Sequence, residues 1–282
     1  VRVFKDPQEM HAYAQKMKHR AKTIGLVPTM GYLHEGHLSL VEAAKKKADI
    51  VVVSIFVNPT QFRPEEDFSR YPRDLKRDKN LLGQFDINAL FLPEASKLYP
   101  NGFKTYVEVE SLSKKMCGHS RPTHFRGVAT IITKLFNLVL PDFAFFGDKD
   151  YQQRLIIEQL TKDLNFPTRI ISLPTVREFD GLAMSSRNQH LSDKDRANAT
   201  ILQRALLLGK EEIASGERNP HKILLRMRSL IGTIPAIRLD YVTIADPETL
   251  EEVKAVKGKV IIALAAQVGK ARLIDNLVIN AG

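Results

Sequence analysis

The sequence predicts an α/β protein: a Rossmann-like parallel-sheet domain followed by a smaller α+β domain. Three observations carry this reading. From the start to about residue 172, short apolar runs of strand length alternate with helically patterned segments, the order that builds a parallel sheet with helical crossovers. After about residue 180 helices come first, then strands separated by turns, which suits a smaller α+β unit. The length of 282 residues fits two modest domains at roughly 150 residues each.

The first strands are expected at residues 23–27, 50–57, 87–92, 143–146 and 168–172. Residues 50–57 are apolar apart from Ser54, as a strand covered by helices on both faces should be. Helices are expected over 36–48, 74–84, 125–140 and 151–164. In the third, Val128, Ile131, Ile132, Leu135, Phe136 and Val139 fall on one stripe,. Further on, 193–214 and 220–231 read as helices, the second opened by Asn219 as N-cap and Pro220 in the first turn,. Residues 238–244, 259–264 and 271–279 read as strands. Pro174 and the Asp180-Gly181 turn signal mark the change, which sets the expected domains at 1–178 and 179–282.

Composition narrows the function. Hydrophobic residues are 44% and charged residues 26%, ordinary for a soluble globular protein. No stretch approaches the ~20 apolar residues of a membrane helix, and residues 1–15 lack a signal-peptide core, so no membrane partner is expected. One cysteine, Cys117, excludes an internal disulfide and a multi-thiolate metal site; a reducing, cytoplasmic setting is expected. Lys and Arg outnumber Asp and Glu by 42 to 32, a formal charge of +10. The basic clusters are short and scattered, with no basic tail, no RGG run and no Trp. That favours a phosphate-rich small molecule in a pocket over nucleic acid or another long polyanion.

The block at residues 28–37, Pro-Thr-Met-Gly-Tyr-Leu-His-Glu-Gly-His, follows a predicted strand and opens a predicted helix. Gly31 and Gly36 allow close approach to the backbone. Helix N-terminal amides attract phosphate, and His34 and His37, three apart, can reach the same anion. One alternative is that the two rings only cap or pack locally; a zinc site is another, but a third ligand at convincing spacing is missing.

His34-Glu35-Gly36-His37 resembles the HxGH signature of the nucleotidyltransferase superfamily. The longer block resembles the pantothenate synthetase (pantoate–β-alanine ligase) family. So do the blocks 54–62 (Ser-Ile-Phe-Val-Asn-Pro-Thr-Gln-Phe), 71–73, 124–128, 134–137, 146–153, 180–188 and 271–276, in order along nearly the whole chain. The resemblance implies ATP-dependent condensation of (R)-pantoate with β-alanine through a pantoyl adenylate, releasing AMP and pyrophosphate, by a homodimer joined through the N-terminal domain. It implies Mg²⁺ with the triphosphate, with no protein ligand named for it. It implies ATP contacts at Met30, Gly31, Tyr32, Leu33, His34, Glu35, Gly36 and His37, at Gly147, Asp148, Lys149 and Asp150, and at Val176, Met184, Ser185, Ser186 and Arg187. Gln61 is carried over as a contact of both pantoate and β-alanine, Gln153 as a pantoate contact, and His37 as a proton donor.

The residue types suit those roles. Asn58-Pro59-Thr60-Gln61 closes a buried strand, and a Gln amide both donates and accepts. Gly147 permits backbone approach, and Lys149 is a compact charge for phosphate. The Ser and Arg of Met184-Ser185-Ser186-Arg187 suit a loop that closes over a triphosphate. Asp148 stands where the family often has Glu, and Thr123 where it usually has Gly. His119, Arg121, His124 and Arg126 read either as a lip of the site or as a solvated or dimer-facing surface. Cys117 reads as a packed thiol with no base at motif spacing.

Overall fold

The computed structural model describes residues 1–282. Strands β1 (Arg2–Phe4), β2 (Ile24–Thr29), β3 (Ile50–Ile55), β4 (Ala89–Phe91), β5 (Phe143–Gly147) and β6 (Arg169–Leu173) form one sheet in the order β1-β4-β3-β2-β5-β6. All its pairings are parallel. From β2 the chain steps outward to β3 and β4, then returns to β5 and β6 on the other side. The order therefore reverses between β2 and β5, and the carboxyl ends of those strands flank a crevice of the kind that receives ligands in open α/β sheets.

Helices α1 (Pro7–His19), α2 (Glu35–Lys47), α3 (Leu75–Gly83), α4 (Ala95–Leu98), α5 (Cys117–Ser120), α6 (His124–Val139) and α7 (Tyr151–Asp163) accompany this sheet. On one face Ile50 and Val52 of β3 pack with α1, α6 and α7 through Met10, Phe136 and Ile156. On the other, Val51 and Val53 pack with α2 and α3 through Val41 and Leu82. The apolar character of β3 on both faces follows from this double covering.

The remaining chain forms α8 (Asp193–Ala199), α9 (Ile201–Ala214), α10 (Pro220–Gly232) and an antiparallel sheet of β7 (Ile237–Ala245), β8 (Lys259–Val268) and β9 (Ala271–Asn280). Along β8, Val260, Ile262, Leu264 and Ala266 join Leu206 of α9 and Met227 of α10. Ile261 and Ala263 join Tyr151 at the start of α7. The small sheet thus has one face for its own helices and one against the larger domain. No helix is long and apolar enough to cross a membrane.

The structure adds β1 and α1, which the sequence patterning did not predict. Residues 193–214 form two helices rather than one: Thr200 lies between them and its hydroxyl donates to the Ala197 carbonyl (2.8 Å). The strand expected at 87–92 contributes only Ala89–Phe91; at its start the Asn88 side chain accepts the Val51 N–H (2.8 Å). The middle strand of the small sheet runs on to Val268 rather than ending at residue 264.

Candidate active site

The carboxyl ends of β2, β3, β5 and β6 open into one cleft of about 1210 Å³. Beyond β2, His34 is the N-cap of α2. The Gly36 N–H donates to His34 Nδ1 (3.2 Å), and the His34 N–H donates to His37 Nδ1 (3.3 Å). Each ring accepts at Nδ1, so each neutral ring carries its proton on Nε2. The ring centroids are 4.1 Å apart. Burial, then the neighbouring His37 and Lys149, push the His34 pKa down to about 2. Burial, then Lys149, push His37 down to about 4. At pH 7 the helix start therefore presents two uncharged Nε2–H donors beside one lysine charge.

The loop that carries them is held from behind. Gly31 has φ +86° and Tyr32 has φ +49°, a conformation a non-glycine residue adopts only when its surroundings enforce it. Asp78 of α3 supplies that force: its carboxylate accepts the N–H groups of Tyr32 (2.8 Å) and Leu33 (2.7 Å). Burial raises the Asp78 pKa against the opposing effect of those two amides. A Cβ on Gly31 would lie 2.9 Å from Ile55 Cγ2. Arg77 adds a hydrogen bond to the Leu33 carbonyl (2.7 Å) and stacks on Tyr32. Asp78 and Arg77 were not singled out in the sequence, although Asp78 shares a helical face with Leu75 and Leu82 and is a carboxylate in an apolar stripe.

Beyond β5, residues 148–150 form a 3₁₀ turn. Lys149 lines the cleft, with its Nζ 3.8 Å from Asp150. The Asp148 carboxylate turns instead to Arg154 (2.8 Å) and is not part of the cleft wall. Beyond β3, the Asn58 amide donates to Gln61 Oε1 (2.9 Å) and to the Gly127 carbonyl (3.0 Å). With its oxygen engaged, Gln61 has its Nε2 donors free for an acceptor. Its backbone carbonyl accepts from Arg121 (3.2 Å) and from the His124 ring (2.9 Å). Burial, then Arg121, hold His124 well below its ordinary pKa, so it too is neutral. Phe56, Val128 and Ile132 give this end an apolar wall, and Gln153 also lines the cleft.

Beyond β6, the backbone of Val176 pairs with Met184 (3.0 Å). The Ser186 hydroxyl donates to the Tyr32 carbonyl (3.1 Å), and the Ser185 hydroxyl accepts the Arg187 N–H (3.2 Å). Arg187 forms a two-pronged pair with Asp67 (2.8 and 3.0 Å). Burial would favour the neutral acid, but the Arg187 hydrogen bonds outweigh it and hold Asp67 below its ordinary pKa.

The cleft therefore brings together Met30, His34, Gly36, His37, Gln61 and Gln153 with Gly147, Lys149, Asp150, Val176 and residues 184–187. Gly31, Tyr32, Leu33, Glu35 and Asp148 stand outside its wall: Leu33 is fully buried in the core, and Glu35 is exposed. Of the basic stretch, Arg121 and His124 line the cleft; His119 and Arg126 are exposed outside it. Cys117 is buried between the sheets, with Sγ 3.3 Å from the Tyr241 hydroxyl and 3.5 Å from the Arg272 guanidinium. No group of three His, Cys, Asp or Glu side chains converges to hold a metal ion.

The family model described as pantoate-beta-alanine ligase matches residues 2–278. A pantothenate synthetase from Moorella thermoacetica is 53% identical over 95% of this chain and 95% of its own. One from Carboxydothermus hydrogenoformans is 52% identical over 99% of each. Among solved structures, the pantothenate synthetase of Thermus thermophilus superposes with a TM-score of 0.93 at 44% identity, covering 98% of this chain and 99% of that one. The pantoate-beta-alanine ligase of Francisella tularensis, complexed with beta-gamma ATP and beta-alanine, gives 0.83 at 33% identity over 100% of both chains.

Proposed function

The chain belongs to the pantoate–β-alanine ligase family, and from that premise we infer its reaction and the roles of its residues. It is an ATP-dependent ligase that condenses (R)-pantoate with β-alanine through a pantoyl adenylate. A carboxylate is a poor acyl donor because oxide would have to leave. A pantoate carboxylate oxygen attacks the α-phosphorus of ATP and pyrophosphate departs. The β-alanine amine then attacks the activated carbonyl, AMP leaves with that oxygen, and the amine gives up a proton. No enzyme nucleophile is needed, so the protein's work is orientation and charge stabilisation.

We propose that the Nε2–H groups of His34 and His37 donate to the ATP phosphates, His37 toward the bond that breaks, while Lys149 supplies the local cation. Ser185, Ser186 and Arg187 close over the triphosphate. For Arg187 this means exchanging its Asp67 partner for phosphate, and a guanidinium fork suits either. Val176 and Met184 flank the adenine end. Gln61 contacts pantoate and β-alanine through its free Nε2, and Gln153 contacts pantoate. The Glu35 main-chain amide, at the start of α2, is placed toward the phosphates; the amides of Tyr32 and Leu33 are held by Asp78 and that of Gly31 by Thr29, so these three residues shape the loop that carries the imidazoles. Asp148 contributes through its backbone.

Mg²⁺ is proposed to enter on the triphosphate, held by phosphate and water; Asp78 is committed to the amides of the loop after β2. The domains are proposed to divide at 1–178 and 179–282, with the second closing over the site. The partners are small molecules rather than nucleic acid or membrane, the assembly a cytoplasmic homodimer through the first domain. The observation that carries the residue roles is the meeting of both neutral imidazoles with Lys149 at the β2–β5 crevice. Mass spectrometry of products from ATP, pantoate and β-alanine, each omitted in turn, tests the reaction. Pantothenate and AMP are expected only with all three present; product without pantoate, or ADP in place of AMP, contradicts it.

A further inference from the structure

Two adjacent residues of β9 reach from the small sheet into the ATP-facing segments of the larger domain. Asp275 is 3% exposed and accepts two hydrogen bonds from Arg177 (2.7 and 3.0 Å). Arg177 bridges to Ala183 within the hairpin that leads from Val176 to Met184, and it donates to the Gly181 carbonyl (3.0 Å). Asn276 is 9% exposed. Its Nδ2 donates to the carbonyls of Asp148 (2.9 Å) and Lys149 (3.0 Å), and its own N–H donates to Asp275 Oδ1 (2.8 Å). One short piece of strand thereby holds both the Lys149 turn and the hairpin.

The turn needs such a hold. Neither it nor α7, which follows, has a side-chain cap at its start. A lysine places its charge through a long flexible stem, so the direction of Nζ depends on the backbone that launches it. An Asn amide has two donors, and here both are spent on consecutive carbonyls of that backbone. We propose that Asn276 is a positioning residue for Lys149, fixing the turn so that the ammonium stays beside the two imidazoles. The small sheet then contributes to the phosphate geometry directly as well as covering the cleft. This rests on the assignment of Lys149 to the ATP phosphates.

A double-mutant cycle tests it in single-turnover formation of pantoyl adenylate from ATP and pantoate. Asn276→Ala is expected to slow the step ~10-fold or more, the scale of a misplaced group, with the pantoate KM unchanged within about twofold. In a Lys149→Ala background the same substitution is expected to add less than about twofold, because coupled residues are not additive. Equal losses in the two backgrounds, or a loss seen only in the pantoate KM, overturn the proposal. Asn276→Asp keeps the shape, removes the donors and repels both carbonyls; it gives the same reading should the alanine variant fold poorly. Unmodified protein that forms no adenylate contradicts the ligase assignment itself, which separates that failure from this one.

Discussion

His37 lines the cleft uncharged and is fixed in one tautomer by the N–H of His34. His37→Ala and Lys149→Ala are each expected to slow adenylate formation by ~10²-fold, the scale of losing a preorganised donor, in proteins that remain folded; near-normal single-turnover rates contradict the roles given to them. The enclosed imidazoles also set an acid limit on stability. An unfolded histidine titrates near 6.5, whereas folded His37 and His34 lie at about 4 and about 2. As pH falls below 6.5, the unfolded chain takes up protons that the folded chain refuses, so stability falls. His124 acts in the same direction. Urea midpoints are expected to drop between pH 7 and 5, above the range in which carboxylates titrate, and His37→Gln is expected to shallow that drop. A midpoint that is flat or rises on acidification contradicts neutral histidines in the fold.

Helix α6 and the loop after β3 meet with almost no clearance. A Cβ on Gly127 would lie 2.3 Å from the Thr60 carbonyl oxygen, so Gly127→Ala must displace helix or loop. The expected outcome is ~1–3 kcal/mol of destabilisation and a raised KM for pantoate, because Gln61 rides on that loop; unchanged midpoint and KM contradict this reading. The elements most legible in the sequence are those with a complete pattern, such as β3, apolar on both faces, and the stripe of α6. β1 is three residues long and mostly exposed, too short for any period to show. α1 buries Met10, Ala14 and Met17 among polar residues, a thin stripe in a segment read only for the absence of a signal core. α3 was predicted, but its Asp78 clamp was not: a hydrogen-bonded partner 45 or 46 positions away leaves no local spacing to notice.

At the scale of the molecule, the blocks that line the cleft were legible because each is contiguous and most follow a strand. The contacts that join them were not. Ser186 to Tyr32, Arg187 to Asp67 and Asn276 to Lys149 all link segments far apart in the chain. The proposed ATP contacts on both sides of the domain junction would favour a closed arrangement by differential binding. Hydrogen exchange over residues 180–190 is therefore expected to slow when ATP and pantoate are added, and no change at saturation would refute closure there. The central claim is chemical: pantoate is activated by adenylyl transfer and not by transfer of the γ-phosphoryl group. Its most direct test is pantoate labelled with heavy oxygen in the carboxylate, converted with ATP and β-alanine and followed by mass spectrometry. One labelled oxygen in AMP and none in pyrophosphate is the predicted result; label in inorganic phosphate, with ADP as the nucleotide product, would contradict the account.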